Sequence, residues 1–266
     1  MKAILGLLLL IFNLGYANQR IISLNTTATE ELYILGVQDR LVGCTVYCNR
    51  PKEAEKKEKV GTVMKADLER VISLKPDLIV ASGLSCPKQM EKLKSLGINV
   101  AYFSAPNSFS ELCDNFIRLG SLVGKEKKAK KIVNKAKKAV EKIRKGKEAL
   151  HKPKVFMQIG AEPLWTVPGG TLQNDFIRFA GGINIAAPLK TGQISCEEVL
   201  VQNPDVIIIT EMGILGEEEK KNWQRFPILN AVKKNKIYIM DASRLCSPTP
   251  LSFPETLEEI AKILHE

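Results

Sequence analysis

The chain has 266 residues, enough for two α/β domains, and its 45% apolar and 26% charged composition is that of a globular protein with a substantial core. The formal charge is +10, but fourteen Lys/Arg against three Glu lie between Lys125 and Lys154, so the excess is one local helix face and the rest is nearly neutral. That segment has no interleaved aromatics for stacking on bases, which argues against nucleic acid as a partner.

In chain order, Lys2, the short apolar run Ala3–Leu14 and Gly15-Tyr16-Ala17 read as a signal peptide cleaved after Ala17, giving an exported, periplasmic chain. No Cys follows the cleavage point, so a lipid anchor is not indicated. Residues 20–24 form a first strand, and Asn25–Thr29 cap a helix that begins near Glu30 and stops at Gly36. Leu41–Val46 is a second strand, ending in an exposed polar and aromatic turn, Tyr47–Pro51. After a charged stretch, Lys52–Lys59, and a lead-in at Val60–Met64, a helix–turn–strand unit follows at 67–82, then a helix over Gln89–Leu96 and a strand over Asn99–Phe103. From 108 to about 150 the strand rhythm gives way to helix. A single helix from Lys125 to Leu150 would run about 39 Å at 1.5 Å per residue. The rhythm resumes with a strand over Lys154–Ile159, then Trp165-Thr166, a turn at Gly169-Gly170 and a helix over Leu172–Ala180. A second helix–turn–strand unit occupies 195–210. An acidic loop at Glu217–Glu219, a short helical piece over Phe226–Val232, a strand over Lys236–Met240 and a closing helix over Pro254–His265 complete the chain.

The two helix–turn–strand units are copies. DLERVISLKPDLIVAS at 67–82 and SCEEVLVQNPDVIIIT at 195–210 match at Glu69/Glu197, Val71/Val199, Pro76/Pro204, Asp77/Asp205 and Ile79/Ile207. Proline stops each helix and favours an extended residue before it, and the β-branched runs that follow suit strands covered on both faces. The pattern predicts an α/β fold of two lobes, each with a central mostly parallel sheet, joined by one long helix. Its parts are signal peptide 1–17, N-terminal lobe 18–107, linker 108–152 and C-terminal lobe 153–266.

Ligands of open α/β sheets sit beyond the carboxyl ends of the strands. That rule nominates Tyr47, Asn49, Arg50 and Ser82–Ser85 in the first lobe, and Trp165, Thr166, Glu211–Gly213 and Asp241–Arg244 in the second. Catalytic constellations are missing: neither His151 nor His265 can be placed beside a nucleophile, and no H-E-x-x-H, Walker loop or G-x-G-x-x-G occurs. The chain is therefore read as a non-enzyme with no cofactor and no resident metal. GGTLQ at 169–173 reads as a plain turn more than a phosphate loop. Six cysteines, Cys44, Cys48, Cys86, Cys113, Cys196 and Cys246, permit fifteen pairings, and disulfides and free buried thiols are both open. Glu69 and Glu197 hold the same place in the first turn of a helix, where the dipole favours a carboxylate. Ser195 and Glu198 form a capping box, and one glutamate per lobe suits docking on a two-fold-related partner.

At this point the segments at 20–36, 41–51, 60–82, 154–165, 172–186 and 194–210 together resemble the periplasmic substrate-binding proteins of ABC importers for cobalamin, haem and ferric siderophores, with cobalamin binders the nearest in look. The resemblance implies two α/β lobes on a single helix and a monomeric receptor that takes a small metal chelate, a corrinoid before a haem or ferric siderophore, into the cleft. Tyr47, Asn49, Arg50, Ser82, Trp165, Asp241 and Arg244 would bind the ligand, and Glu69 and Glu197 would dock on arginines of the permease dimer. Val63 and Thr191 stand where that subgroup carries further tryptophans, and Cys48, Cys86 and Cys246 are unusual there. Two other readings compete: a tetrapyrrole chelatase-like enzyme, which lacks its His or carboxylate cluster, and a surface-interaction domain that uses the basic helix on acidic polymer.

Overall fold

The computed structural model describes residues 18–147, 149–211 and 216–266; the expected signal peptide lies outside them. The chain divides into two compact units. Unit 1 comprises residues up to Ala105 with Cys113–Lys131, and unit 2 comprises Pro106–Leu112 with Ile132–Glu266.

Unit 1 is built on β1 (Ile21–Ser23), β2 (Leu41–Cys44), β3 (Leu78–Ser82) and β4 (Asn99–Phe103), all parallel, in the order β2-β1-β3-β4. Helices α1 (Thr26–Leu35), α2 (Leu68–Ser73) and α3 (Pro87–Ser95) connect them. Leu78, Ile79, Val80 and Ala81 are all fully buried, as an apolar run without alternation requires. Ile22, Leu24, Val71, Ile79, Met90 and Leu93 form the core on one face of this sheet. Helix α1 starts four residues earlier than expected because Asn25 caps it directly, its side chain accepting from Ala28 N at 3.0 Å. Gly36 ends it in the left-handed conformation, φ 74°. The second strand stops at Cys44, two residues short of the expected Val46, because the chain turns there and Cys48 N donates to Thr45 O.

Helix α1 also buries a carboxylic acid. Glu31 is 4% exposed, and burial first, then the neighbouring Glu30 charge, pushes its pKa up to about 8. Its folded pKa lies above the unfolded value of 4.5, so this group favours the folded state most below 4.5, and that advantage is lost as pH rises toward 8. Glu31→Gln is expected to flatten that limb, with a ceiling of about 5 kcal/mol, in denaturant melts run from pH 5 to pH 9. A wild-type melt with no decline over that range would refute the assignment.

The helix expected over Lys125–Leu150 is present but stops at Lys145, just before Gly146, and a separate helix precedes it. Helix α4 (Phe109–Leu122) ends before Gly124, which is left-handed at φ 69°, and α5 runs Glu126–Lys145, about 30 Å rather than 39 Å. One of the boundaries between the units falls within α5, after Lys131.

Unit 2 carries a five-stranded sheet. Strands β5 (Lys154–Gly160), β8 (Val206–Glu211) and β9 (Ile237–Asp241) are parallel. On the outer side of β5, β6 (Trp165–Thr166) pairs antiparallel and β7 (Ile183–Asn184) parallel. Helices α6 (Leu172–Phe179), α7 (Cys196–Gln202), α8 (Gly216–Gln224), α9 (Asn230–Lys233), α10 (Ala242–Cys246) and α11 (Ser252–His265) surround it. The acidic stretch Glu217–Glu219 is the first turn of α8 and not a loop, which places three carboxylates where the helix dipole favours them. The piece expected at Phe226–Val232 is the shorter α9. The closing helix begins two residues earlier than Pro254, which fits its first turn. On one face Phe156, Val199, Ile207, Ile209, Trp223 and Ile237 pack together, while Phe109, Phe176 and Phe253 stack with centroids 4.5 and 4.1 Å apart.

The duplicated units fold alike. Asp67 and Ser195 cap α2 and α7 by accepting from Arg70 N and Glu198 N. The repeated aspartates have a use the sequence did not reveal. Asp77 accepts from Arg20 N at 2.7 Å and Asp205 from Lys154 N at 3.0 Å, so each fastens the neighbouring strand at its start. Burial pushes the Asp205 carboxyl up, but Lys234, Lys154 N–H and Asn230 together hold it below its ordinary value. The residues before the prolines, Lys75 and Asn203, are left-handed at φ 46° and 47° and not extended as expected. In this conformation Asn203 N caps Val199 O as α7 ends.

Candidate functional site

In unit 1 three segments meet beyond the strand ends. The turn after β2 is tied to residues 61–66 by Val46 N donating to Gly61 O at 2.9 Å. The loop after β3 is tied to them by Cys86 N on Met64 O and Ser85 Oγ on Val63 O, both 3.1 Å. Gly61 is needed here: its φ is 106°, and a Cβ would lie 2.5 Å from Lys65 O. The stitching presents Val46, Tyr47, Met64 and Leu84 to solvent, at 50%, 59%, 65% and 71% exposure. Isolated exposed apolar residues are ordinary, but four on connected strand-end loops form a patch that suits a flat apolar ligand. Of these Tyr47 and Leu84 lie in stretches nominated from the sequence, and Val46 and Met64 do not. Those two are aliphatic residues in unremarkable context, and only the hydrogen bonds between loops bring all four together.

The remaining nominees in unit 1 are more constrained. Asn49 is exposed. Arg50 is ion-paired with Glu30 at 3.3 Å, and burial raises the Glu30 pKa while Arg50 opposes that rise. Ser82 uses its hydroxyl to receive Leu84 N at 3.2 Å, holding the loop that carries Leu84.

In unit 2 the corresponding face carries Trp165, 41% exposed, where β6 runs back against the end of β5. Its indole lies between two glycines. A Cβ on Gly192 would sit 2.7 Å from the ring, and one on Gly160 within 3.3 Å of it. Thr166, also nominated, is fully buried with its hydroxyl on Met157 O at 2.7 Å, so it belongs to the core. Asp241 caps α10 by accepting from Ser243 N at 2.6 Å. Arg244 pairs with Glu259 at 2.6 Å. Met212 and Gly213 lie outside the described residues, as does the Glu211 side chain.

A buried polar network supports this face. Gln158 accepts from Trp223 Nε1 at 2.7 Å and donates to Glu219 at 2.6 Å, and Thr210 Oγ1 donates to the Gln158 carbonyl. It locks α8 onto the ends of β5 and β8. No sequence pattern signalled it, because its members are far apart in the chain.

A groove of about 580 Å³ lies elsewhere in unit 2, between α5 and α11, lined by Ala136, Ala139, Ile143 and Leu251 with Lys135 and Lys142. It sits between helices and not at strand ends, so the exposed aromatics remain the better guide to a ligand. Glu69 and Glu197 are both exposed second residues of their helices. Hydrogen bonds from its own backbone N–H and from Ser195 hold the Glu197 carboxyl below its usual range. Ser195 does receive Glu198 N at 3.1 Å, which is the forward half of the expected capping box. Among the described residues no group of three or more His, Cys, Asp or Glu is placed to hold a metal ion, and no helix is long and apolar enough to cross a membrane.

Known proteins resemble this arrangement over most of its length. The vitamin B12-binding protein of Photorhabdus laumondii is 31% identical over 231 residues, covering 84% of this chain and 82% of its own. An uncharacterized ABC transporter substrate-binding lipoprotein of Bacillus subtilis is 33% identical, covering 93% and 80%. Among solved structures, the periplasmic vitamin B12-binding protein of Vibrio cholerae superposes with a TM-score of 0.77 at 28% identity, over 92% of this chain and 96% of its own. A periplasmic haem-binding protein of the same organism shares the fold at a TM-score of 0.84 with 18% identity, over 94% and 100%. The family model for periplasmic binding proteins matches residues 21–243. The family and the relatives named here are substrate-binding proteins and not enzymes. This chain belongs to the periplasmic binding protein family.

Proposed function

We propose that this chain is an exported receptor that captures a metal chelate, a corrinoid before a haem or ferric siderophore, and delivers it to an ABC permease. The single observation that carries the reading is the exposed aromatic at each unit's strand ends, Tyr47 in one and Trp165 in the other. Aromatic faces suit a large planar macrocycle, because they offer apolar area at little conformational cost. Relatives named as vitamin B12-binding proteins favour cobalamin over the alternatives. Arg50, Asp241 and Arg244 supply polar groups at the same loops, with Asn49 and Ser82, and would orient the polar rim of the chelate. Glu69 and Glu197 serve as the docking pair for the permease.

The test is direct. Chain purified from its native host is expected to carry a corrin absorbance spectrum, which differs plainly from those of haem and ferric chelates. Purified ligand-free chain is expected to lose tryptophan fluorescence on titration with cobalamin, less or not at all with haem or a ferric siderophore. Absence of saturable quenching by all three would end the ligand-class proposal. A preference for haem or a siderophore would replace the corrinoid while leaving the receptor in place.

A further inference from the structure

The turn beneath Tyr47 contains a cluster that ligand binding does not use. Cys44 is the last residue of β2 and Cys48 lies four residues on, and both side chains are sealed, at 0% and 1% exposure. Cys48 Sγ lies 3.1 Å from Thr29 Oγ1 and 3.2 Å from Thr45 Oγ1, on two threonines that are themselves fully buried. The Cys44 side chain is hydrogen-bonded to the same sulfur. Lys59 Nζ closes the cluster, donating to Cys44 Sγ at 3.4 Å and to the carbonyls of Thr45, Cys48 and Ala54 at 3.3, 3.0 and 3.1 Å. Buried cysteines usually behave as small apolar residues. Here two cysteines share a pocket furnished with hydroxyls on Cys48 and an ammonium on Cys44, polar surroundings of the kind that favour thiol exchange.

We propose that Cys44 and Cys48 become joined as a disulfide when the chain folds outside the cytoplasm. The oxidant is a disulfide, of low molecular weight or on a protein. Cys48 gives up its proton and attacks one sulfur of that disulfide, forming a mixed disulfide and expelling a first thiolate. Cys44 then gives up its proton and attacks Cys48 Sγ, forming the Cys44–Cys48 bond and expelling a second thiolate. The two electrons and the two protons end on the reduced oxidant as a pair of thiols.

In the closed turn hydrogen bonds from Cys44, Thr29 and Thr45 lower the Cys48 pKa, while the same hydrogen bond and burial raise that of Cys44. Before the turn closes neither effect operates, so the exchange balances equally with the two thiols reversed in order. Both sulfurs are sealed in the folded chain, so the exchange precedes closure of the turn, and the finished bond is shielded from soluble reductant. Lys59 keeps its three carbonyl partners once the thiol is gone, so the pocket tolerates the change. The bond would hold the turn that bears Tyr47. The proposal rests on the export reading only for the source of oxidant, and it is independent of the ligand's identity.

The experiment is peptide mapping of the full secreted chain, alkylated in denaturant without reductant. Trypsin does not cut between Arg50 and Pro51, so both cysteines fall in one peptide, Leu41–Lys52. That peptide is expected unalkylated and two hydrogens lighter than its reduced form. It should become doubly alkylated after reductant in denaturant, but not after reductant applied to folded protein. Chain refolded in a glutathione redox buffer is expected to give the same result. Cys48→Ser is expected to leave Cys44 alkylated and to lower Tm by several degrees while near-native circular dichroism persists. Double alkylation of the peptide in both secreted and refolded folded protein would overturn the proposal, as would pairing of Cys44 with Cys86, Cys113, Cys196 or Cys246. A disulfide found only after glutathione refolding, with the secreted chain reduced, would overturn the proposal as well, because it would show that the pair can join but does not do so during folding outside the cytoplasm.

Discussion

Trp165→Ala is expected to weaken chelate binding by roughly 50- to 100-fold while leaving the fold intact. The indole is 41% exposed on a two-residue strand. Covering that exposed part with ligand would remove on the order of 100 Å² of aromatic surface from water, about 2.5 kcal/mol. Trp165→Phe should retain most of the affinity, because the ring face survives. Gly192→Ala gives an independent check on ring position: its methyl would meet Trp165 Cε3 and the Thr166 carbonyl, both at 2.7 Å. The ring must move, and affinity should fall without any change at the ligand's other contacts. Titration calorimetry with cobalamin, alongside thermal melts, separates binding from folding. Unchanged affinity in Trp165→Ala, with saturable binding retained, would remove this residue from the site.

Charge reversal at Glu69 and Glu197 together is expected to abolish delivery to the permease while chelate affinity stays within about twofold, since exposed charges far from a ligand act weakly through screened solvent. Both residues are exposed at equivalent places on repeated helices. A single surface ion pair is worth little, but if the two glutamates dock on permease arginines as proposed, reversal would turn attraction into repulsion at two points at once. Each single reversal should cost part of the uptake and the double nearly all of it. Uptake of labelled chelate into vesicles carrying the cognate permease measures this. Undiminished uptake by the double variant would show that docking uses another surface.

The fold was largely legible because its signals are local. The apolar run at 78–81 has no alternation, as suits a strand covered on both faces, and all four of its residues are fully buried. Asn25, Asp67 and Ser195 stood one residue before helices because a short polar side chain satisfies the first free N–H groups, and all three do so. The helix expected over 125–150 runs only to Lys145: solvated lysines fit helix, turn and coil equally well, and the stop comes at Gly146. The acidic stretch at 217–219, which opens α8, reads as a loop in the sequence because charge alone does not separate a helix start from a solvated turn.

The site was legible only in outline. Strand ends named Tyr47 and Trp165 because the position of a loop after a parallel strand follows from the order of elements along the chain. The sequence by itself determined the α/β units, their repeat and the family. It could not determine which distant groups share a pocket, because that depends on strand order and loop contacts that no local pattern encodes. Tertiary structure alone brought Met64 and Leu84 beside Tyr47, placed Gly160 and Gly192 against the Trp165 indole, and sank Thr166 into the core. It also joined Gln158 to Trp223 across 65 residues and set Lys59 Nζ against Cys44 Sγ and the Cys48 carbonyl. Each of these contacts is short-ranged in space and long-ranged in sequence, and packing the sheet is what converts one into the other.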